Sequence, residues 1–155
     1  MRFLFIFSVF LVVNACQTSK KSLNADSSPE ASIIISMKKT ACYGTCPVYT
    51  IQIYSDLRVR LKGEQYIDHI GDFNSVIEKG RFESLIRQFK DSDFFSFEEK
   101  YWEAYSDLPT TYVYFSDGGH EKEVMDYYGA PQSLRDLEAE IARLLEELEW
   151  RKNVE

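Results

Sequence analysis

Cys42 and Cys46, in the stretch Ala41-Cys42-Tyr43-Gly44-Thr45-Cys46-Pro47-Val48-Tyr49, are the residues whose type and spacing are best suited to chemistry. Three chemistries compete for them. As a disulfide they need Cα atoms about 4.4 to 6.8 Å apart, closer than an extended strand would hold them. The segment must therefore turn, and Gly44 gives the backbone that freedom. As a redox dithiol they would want a helix N-terminus to lower a thiol pKa. Yet Tyr49, Ile51 and Ile53 alternate with Thr50, Gln52 and Tyr54 in the period of a half-buried strand. As ligands of copper(I) or zinc they would need an imidazole, for which the chain offers His69 and His120. Each histidine is more simply a strand residue facing solvent. The disulfide is the favoured reading, with Cys42, Cys46 and His120 as the alternative metal set and no cofactor required.

The third cysteine, Cys16, has a different setting. Arg2 is followed by an apolar run from Phe3 to Val13 and then Asn14-Ala15-Cys16, the layout of a secretory signal peptide. The run is well short of the roughly 20 residues that span a bilayer as a helix. Val13-Asn14-Ala15-Cys16 also resembles a bacterial lipobox, although Asn14 stands where a smaller residue is usual. That resemblance implies cleavage after residue 15, acylation of Cys16, and a domain held in the cell envelope by lipid, exposed to the periplasm or the cell surface. Without acylation the reading is ordinary secretion with a free thiol. With it, only Cys42 and Cys46 remain to pair, in a compartment that favours disulfides. Residues 16–31 are polar and read as a flexible tether, leaving 32–155 for a single globular domain.

Composition narrows the partners. Without residues 1–15 the chain carries 17 basic and 25 acidic residues, and no basic stripe, which argues against nucleic acid. Cys-x-x-x-Cys-Pro is similar to the motif of copper-delivery proteins of the thioredoxin-like class, but the strand-helix alternation those need around the motif is missing. Glu98, Glu99, Glu103 and Asp107 are carboxylates close in sequence, a pattern that a charged loop explains as well as glycosidase chemistry does. Asp117-Gly118-Gly119-His120 reads as a turn rather than a calcium loop. No serine elbow, zinc-protease helix or phosphate loop is present in the sequence.

The elements that must position these residues follow from periodicity. Ile33 to Met37 is a β-branched run, and Tyr49 to Tyr54 with Val59 and Leu61 makes a hairpin ended by Gly63. Tyr66 to Ile70 is a candidate fourth strand. From Lys79, Phe82, Leu85, Ile86 and Phe89 fall at helical spacing. Thr110 to Phe115 and His120 to Met125 form a second hairpin around Asp117-Gly118-Gly119. Pro131 can occupy the first turn of a terminal helix lined by Leu134, Leu137, Ile141, Leu144, Leu145 and Leu148, whose other face is Glu-rich and solvated. Short turns make the strands antiparallel, and two single-striped helices need a sheet to cover. The expected fold class is α+β: an antiparallel sheet of about six strands with two helices packed on one face, in the order strands, helix, hairpin, helix.

Seven aromatic residues crowd around the second hairpin, among them Trp102, Tyr105, Tyr112 and Tyr114. Alternation puts Tyr112 and Tyr114 on one face and Val113 and Phe115 on the other, so one set needs a partner, a ligand or a covering segment. The Cys42-to-Tyr49 stretch followed by Ile51-Gln52-Ile53-Tyr54-Ser55-Asp56 resembles a family of bacterial envelope proteins known only as a domain of unknown function, marked by Cys-aromatic-Gly-x-Cys-Pro-x-Tyr. Leu57 replaces that family's turn glycine. The resemblance implies the architecture across Ile33 to Leu148 and no activity. The expected function is a non-enzymatic, membrane-anchored binding module. Its surface is Tyr43, Trp102, Tyr105, Tyr112 and Tyr114, and its partner an envelope protein or cell-wall glycan. The contrasting reading is a copper, zinc or thiol-redox protein using Cys42 and Cys46.

Overall fold

The computed structural model describes residues 31–153. The expected signal peptide, the expected lipidation site Cys16 and nearly all of the expected tether lie outside the described residues.

Strands β1 (Ile33–Lys39), β2 (Val48–Tyr54), β3 (Arg58–Gln65) and β4 (Gly71–Val76) run in succession, followed by helix α1 (Lys79–Asp91) and a 3-10 turn at Phe94–Ser96. Strands β5 (Lys100–Tyr101), β6 (Thr111–Ser116) and β7 (Glu121–Asp126), helix α2 (Gln132–Glu147) and β8 (Arg151–Lys152) complete the domain. They form one eight-stranded sheet in the order β5-β7-β6-β1-β2-β3-β4-β8. Every pairing is antiparallel except that of β5 with β7.

The α+β class with two helices stands, and the strand number is eight rather than six. The two extra strands, β5 and β8, are two residues each and exist only through their neighbours, β7 and β4. The fourth strand also moves. Residues 66–70 form a bend, and β4 begins at Gly71, where the candidate strand was expected to have ended. Gly63 does not end β3 but sits buried inside it, paired with both Tyr49 and Gly71.

Period-two alternation decides the core. Ile35 and Met37, Tyr49, Ile51 and Ile53, Val59 and Leu61, and Val113 and Phe115 all point to one side and are buried. Leu85 and Phe89 of α1, and Leu134, Leu137, Ile141 and Leu144 of α2, join them in one cluster, so both helices cover that side. Phe89 meets Phe115 at 4.7 Å and Phe94 at 5.1 Å between ring centroids, which fixes the end of α1 and the 3-10 turn on the sheet. Full burial of each such ring stabilises by about 2–3 kcal/mol.

Local chemistry sets the helix ends. The Glu78 carboxylate accepts from the Gly80 amide at 3.3 Å before α1. Pro131, with φ −65°, stands at the cap position of α2, one residue before the first turn where the sequence placed it. Arg81 of α1 bridges to Glu140 at 3.1 Å and Glu147 at 2.9 Å, joining the two helices. Leu57, in the β2–β3 turn, holds φ +70°, a left-handed conformation that glycine adopts at less cost than a residue with a side chain.

Candidate functional site

Three connections meet at one end of the sheet. The β1–β2 loop spans residues 40–47, and within it Cys42 and Cys46 form a disulfide across Cα atoms 5.8 Å apart. Gly44 donates its amide to the Cys42 Sγ at 3.2 Å, which closes the turn tightly and lifts Tyr43 to its tip, 90% exposed. The β5–β6 connection runs alongside: Thr40 donates to the Thr110 carbonyl at 3.0 Å, Thr110 donates back to the Thr40 Oγ1 at 2.9 Å, and Tyr43 donates to the Asp107 carbonyl at 3.3 Å. The β7–α2 connection completes the set. Its Tyr127 hydroxyl donates to the Tyr105 carbonyl at 2.7 Å, and its Tyr128 ring stacks on Tyr105 at 4.3 Å.

The result is an aromatic surface on a braced frame. Tyr43, Trp102 (54% exposed), Tyr105 (51%), Leu108 and Tyr128 all face solvent. Lys100 lies over the Trp102 ring at 5.1 Å. Of the five residues expected to form one surface, Tyr43, Trp102 and Tyr105 gather at this end, whereas Tyr112 and Tyr114 lie on the uncovered face of the sheet. Leu108 was missed, and Tyr128, one of the seven aromatic residues of the cluster, was not assigned to that surface. No apolar periodicity singles out Leu108, and nothing local shows that Tyr128 will pack against a ring 23 positions earlier.

The cysteines and histidines do not converge. Cys42 follows the end of β1 that pairs with Thr111, while His120 sits in the turn beyond Ser116, at the far end of β6. Five strand residues separate the two ends, about 17 Å. His120 packs near Phe95 at 6.0 Å, and His69, in the bend before β4 rather than in a strand, contacts Phe73 edge-on at 5.1 Å. With each sulfur bonded to the other, neither is a thiolate ligand. Among the described residues, no group of three or more His, Cys, Asp or Glu side chains is placed to hold a metal ion, and no helix is long and apolar enough to cross a membrane.

An acidic pair lies beneath the surface. Burial pushes the Glu138 carboxyl up to about 7, the nearby Asp126 carboxylate adds to the shift, and Lys39, Arg135 and Thr111 oppose it. Burial also raises Asp126. The Tyr49 hydroxyl, buried on β2, is raised by the same desolvation and by Glu138. The Glu138 Oε1 is buried without a hydrogen-bond partner. Glu138 therefore does not belong to a fully solvated helix face, as the sequence suggested. It follows Leu137 and lies four residues after Leu134, on the shoulder of the apolar stripe, and that spacing was the available signal.

The disulfide should act as a brace rather than as core. Neither cysteine is in the buried cluster, and so small a loop contributes about 2 kcal/mol. The double substitution Cys42→Ala, Cys46→Ala should lower the urea-unfolding free energy by that amount while the far-ultraviolet circular dichroism is unchanged. A loss of folding would show that the loop organises the sheet.

These features define a disulfide-braced α+β domain in which two helices cover one face of an antiparallel sheet and aromatic loops crowd one end. The chain belongs to the family DUF6438, a domain of unknown function, which it matches over residues 33–145. The match takes in both the cysteine loop and the aromatic loops. No curated protein matches the chain.

Proposed function

We propose that the protein is a non-enzymatic interaction module of the cell envelope, anchored by lipid on Cys16, and that its aromatic loop end binds another envelope protein. The observation that carries this reading is the joint exposure of Tyr43, Trp102, Tyr105, Leu108 and Tyr128 on loops tied to one another by backbone hydrogen bonds and a disulfide. Tyr and Trp supply large amphipathic contact area with few rotatable bonds, and such side chains are enriched where proteins bind. The bracing means that little loop entropy is lost on binding. The Cys42–Cys46 bond favours this reading over the metal and thiol-redox alternative.

Two measurements test it separately. A photo-crosslinking amino acid at Tyr43 or Trp102 of the full chain in cells should give one discrete protein adduct, and the same probe at Glu83, exposed on α1, should not. Equal labelling at all three positions, or adducts only with glycan strands, would remove the protein partner. Cys16→Ser should move the chain from the membrane fraction to the soluble fraction; retention in the membrane would remove the lipid anchor and leave the binding surface untouched.

A further inference from the structure

The last core-facing row of the sheet, next to the aromatic loops, is polar. Register sets Asp126 of β7, Thr111 of β6, Lys39 of β1 and Tyr49 of β2 side by side, beyond the apolar row of Val124, Val113, Met37 and Ile51. Helix α2 covers this side and brings Glu138 down onto the row, so that the Asp126 and Glu138 carboxyls face each other beneath it. The other groups facing the pair are the Lys39 ammonium from β1, the Arg135 guanidinium from α2, and the Thr111 and Tyr49 hydroxyls. Neither cation closes on the acids. Arg135 is engaged by the Ala130 carbonyl and by the Gln132 Oε1 at 3.0 Å, and among the described residues no lysine or arginine lies within ion-pair distance of Asp126 or Glu138. The Glu138 Oε1 has no hydrogen-bond partner at all. Two adjacent acids in such a setting hold one shared proton more readily than two charges.

Asp126 is also the last residue of β7, and the connection that follows it carries Tyr128 of the aromatic surface. The Tyr127 and Tyr128 amides donate to the Tyr101 carbonyl at 3.0 and 3.3 Å, the Tyr127 hydroxyl donates to the Tyr105 carbonyl at 2.7 Å, and the Tyr128 ring packs on Tyr105 at 4.3 Å. Such contacts at the surface each add little against local opening. We propose that Asp126 and Glu138 are a proton-operated latch on the aromatic end: sharing one proton, the pair ties the end of β7 to α2 and holds Tyr128 on Tyr105. When the proton leaves to solvent, the two carboxylates part and the connection loosens. The sense follows from the burial that raises both acids, Glu138 to about 7. The held arrangement binds the proton more tightly than the loosened one, so it prevails below about 7 and gives way above. Resting on the reading that the aromatic end is the binding surface, a partner is then gripped more tightly in mildly acidic than in mildly alkaline surroundings. By the same linkage, its binding above that pH draws a proton in.

Amide hydrogen exchange of the full chain in detergent micelles, resolved by residue and corrected for the intrinsic pH dependence of exchange, tests the latch without a partner. Between about pH 6 and about pH 8, protection of the Tyr127 and Tyr128 amides should fall by about tenfold relative to Val113, whose amide in the middle of β6 reports global opening. Glu138→Gln and Asp126→Asn each leave at most one charge in the pair, and each should abolish that difference. An equal loss at Val113 is what a fall in overall stability alone would give, and it would overturn the latch. So would protection at Tyr127 and Tyr128 that ignores pH, or a fall in both variants as large as in the parent. Crosslinking from Tyr43, repeated at the same two pH values, separates the latch from the binding reading. Equal adduct yields would overturn the control of binding, whereas no adduct at either pH would remove the binding surface and leave the exchange result to decide the latch.

Discussion

Gly63→Ala should abolish the folded domain or cost at least about 4 kcal/mol, more than any surface change in the molecule. A Cβ built at Gly63 would lie 1.8 Å from the His69 carbonyl oxygen and 2.9 Å from its carbon. Those atoms are backbone, held by the bend that returns the chain from β3 to β4, so no rotamer change relieves the clash. Either the bend shifts by more than 1 Å, and with it the pairing of Gly63 to Gly71, or β3 loses its partner. Gly119→Ala is the control: nothing lies within 4 Å of its Cβ position, and the change should fall within about 0.5 kcal/mol. Chemical denaturation of both variants decides it. A Gly63→Ala protein as stable as the parent would mean that the bend does not sit against β3.

Stability should fall as pH rises from about 4.5 to about 7, and Glu138→Gln should remove most of that fall. Glu138 titrates near 4.5 in the unfolded chain and about 7 in the folded one, so in that window the folded state holds a proton that the unfolded state has released. Its stabilisation is complete below about 4.5, declines through the window and is gone above about 7. The shift corresponds to up to about 3 kcal/mol, or about 10 °C in Tm for a domain of this size. Asp126, raised in the same sense, adds to the trend, and Lys39 and Arg135 moderate it. Thermal melts across the pH range should therefore converge for parent and variant at low pH only if the neutral acid and the amide are held equally well. The decisive quantity is the slope between pH 5 and pH 7. Parallel slopes in the two proteins would show that Glu138 is not the titrating group.

Sequence periodicity revealed the parts of this fold that depend on side-chain alternation. The β2–β3 and β6–β7 hairpins, α1 and the Leu stripe of α2 all stand where the apolar spacing put them, because each buries one face against the same core. It could not reveal β5 or β8, whose two residues have no pattern of their own and take strand geometry from Met125-Asp126 and Phe73-Asn74. The misplaced fourth strand has a related cause. Tyr66 to Ile70 alternates well enough, but the close approach of His69 to Gly63 bends that segment, and contact between residues six apart is invisible to a period-two count. At the candidate site, the Cα distance that a disulfide demands was enough to require the cysteine turn, whereas the freedom expected of Gly44 is not drawn on, since Gly44 does not hold a positive φ. The aromatic residues were legible as a cluster but not as two surfaces, because the split depends on strand register and on the Thr40–Thr110 bonds that fold one loop beside another.

The direction in which β1 runs has a mechanical consequence. The preceding segment joins β1 at Ile33, and the aromatic loops sit at the opposite end of the same strand, seven residues or about 23 Å away. A pull between that junction and a partner gripping Trp102 or Tyr105 must pass sideways from β1 into β6. The ladder from Ile35–Phe115 to Lys39–Thr111 would then be loaded along the strands, with all its hydrogen bonds sharing the force instead of opening one after another. As the middle of the sheet, bonded to β2 on its other side as well, β1 is the strand best placed to bear tension.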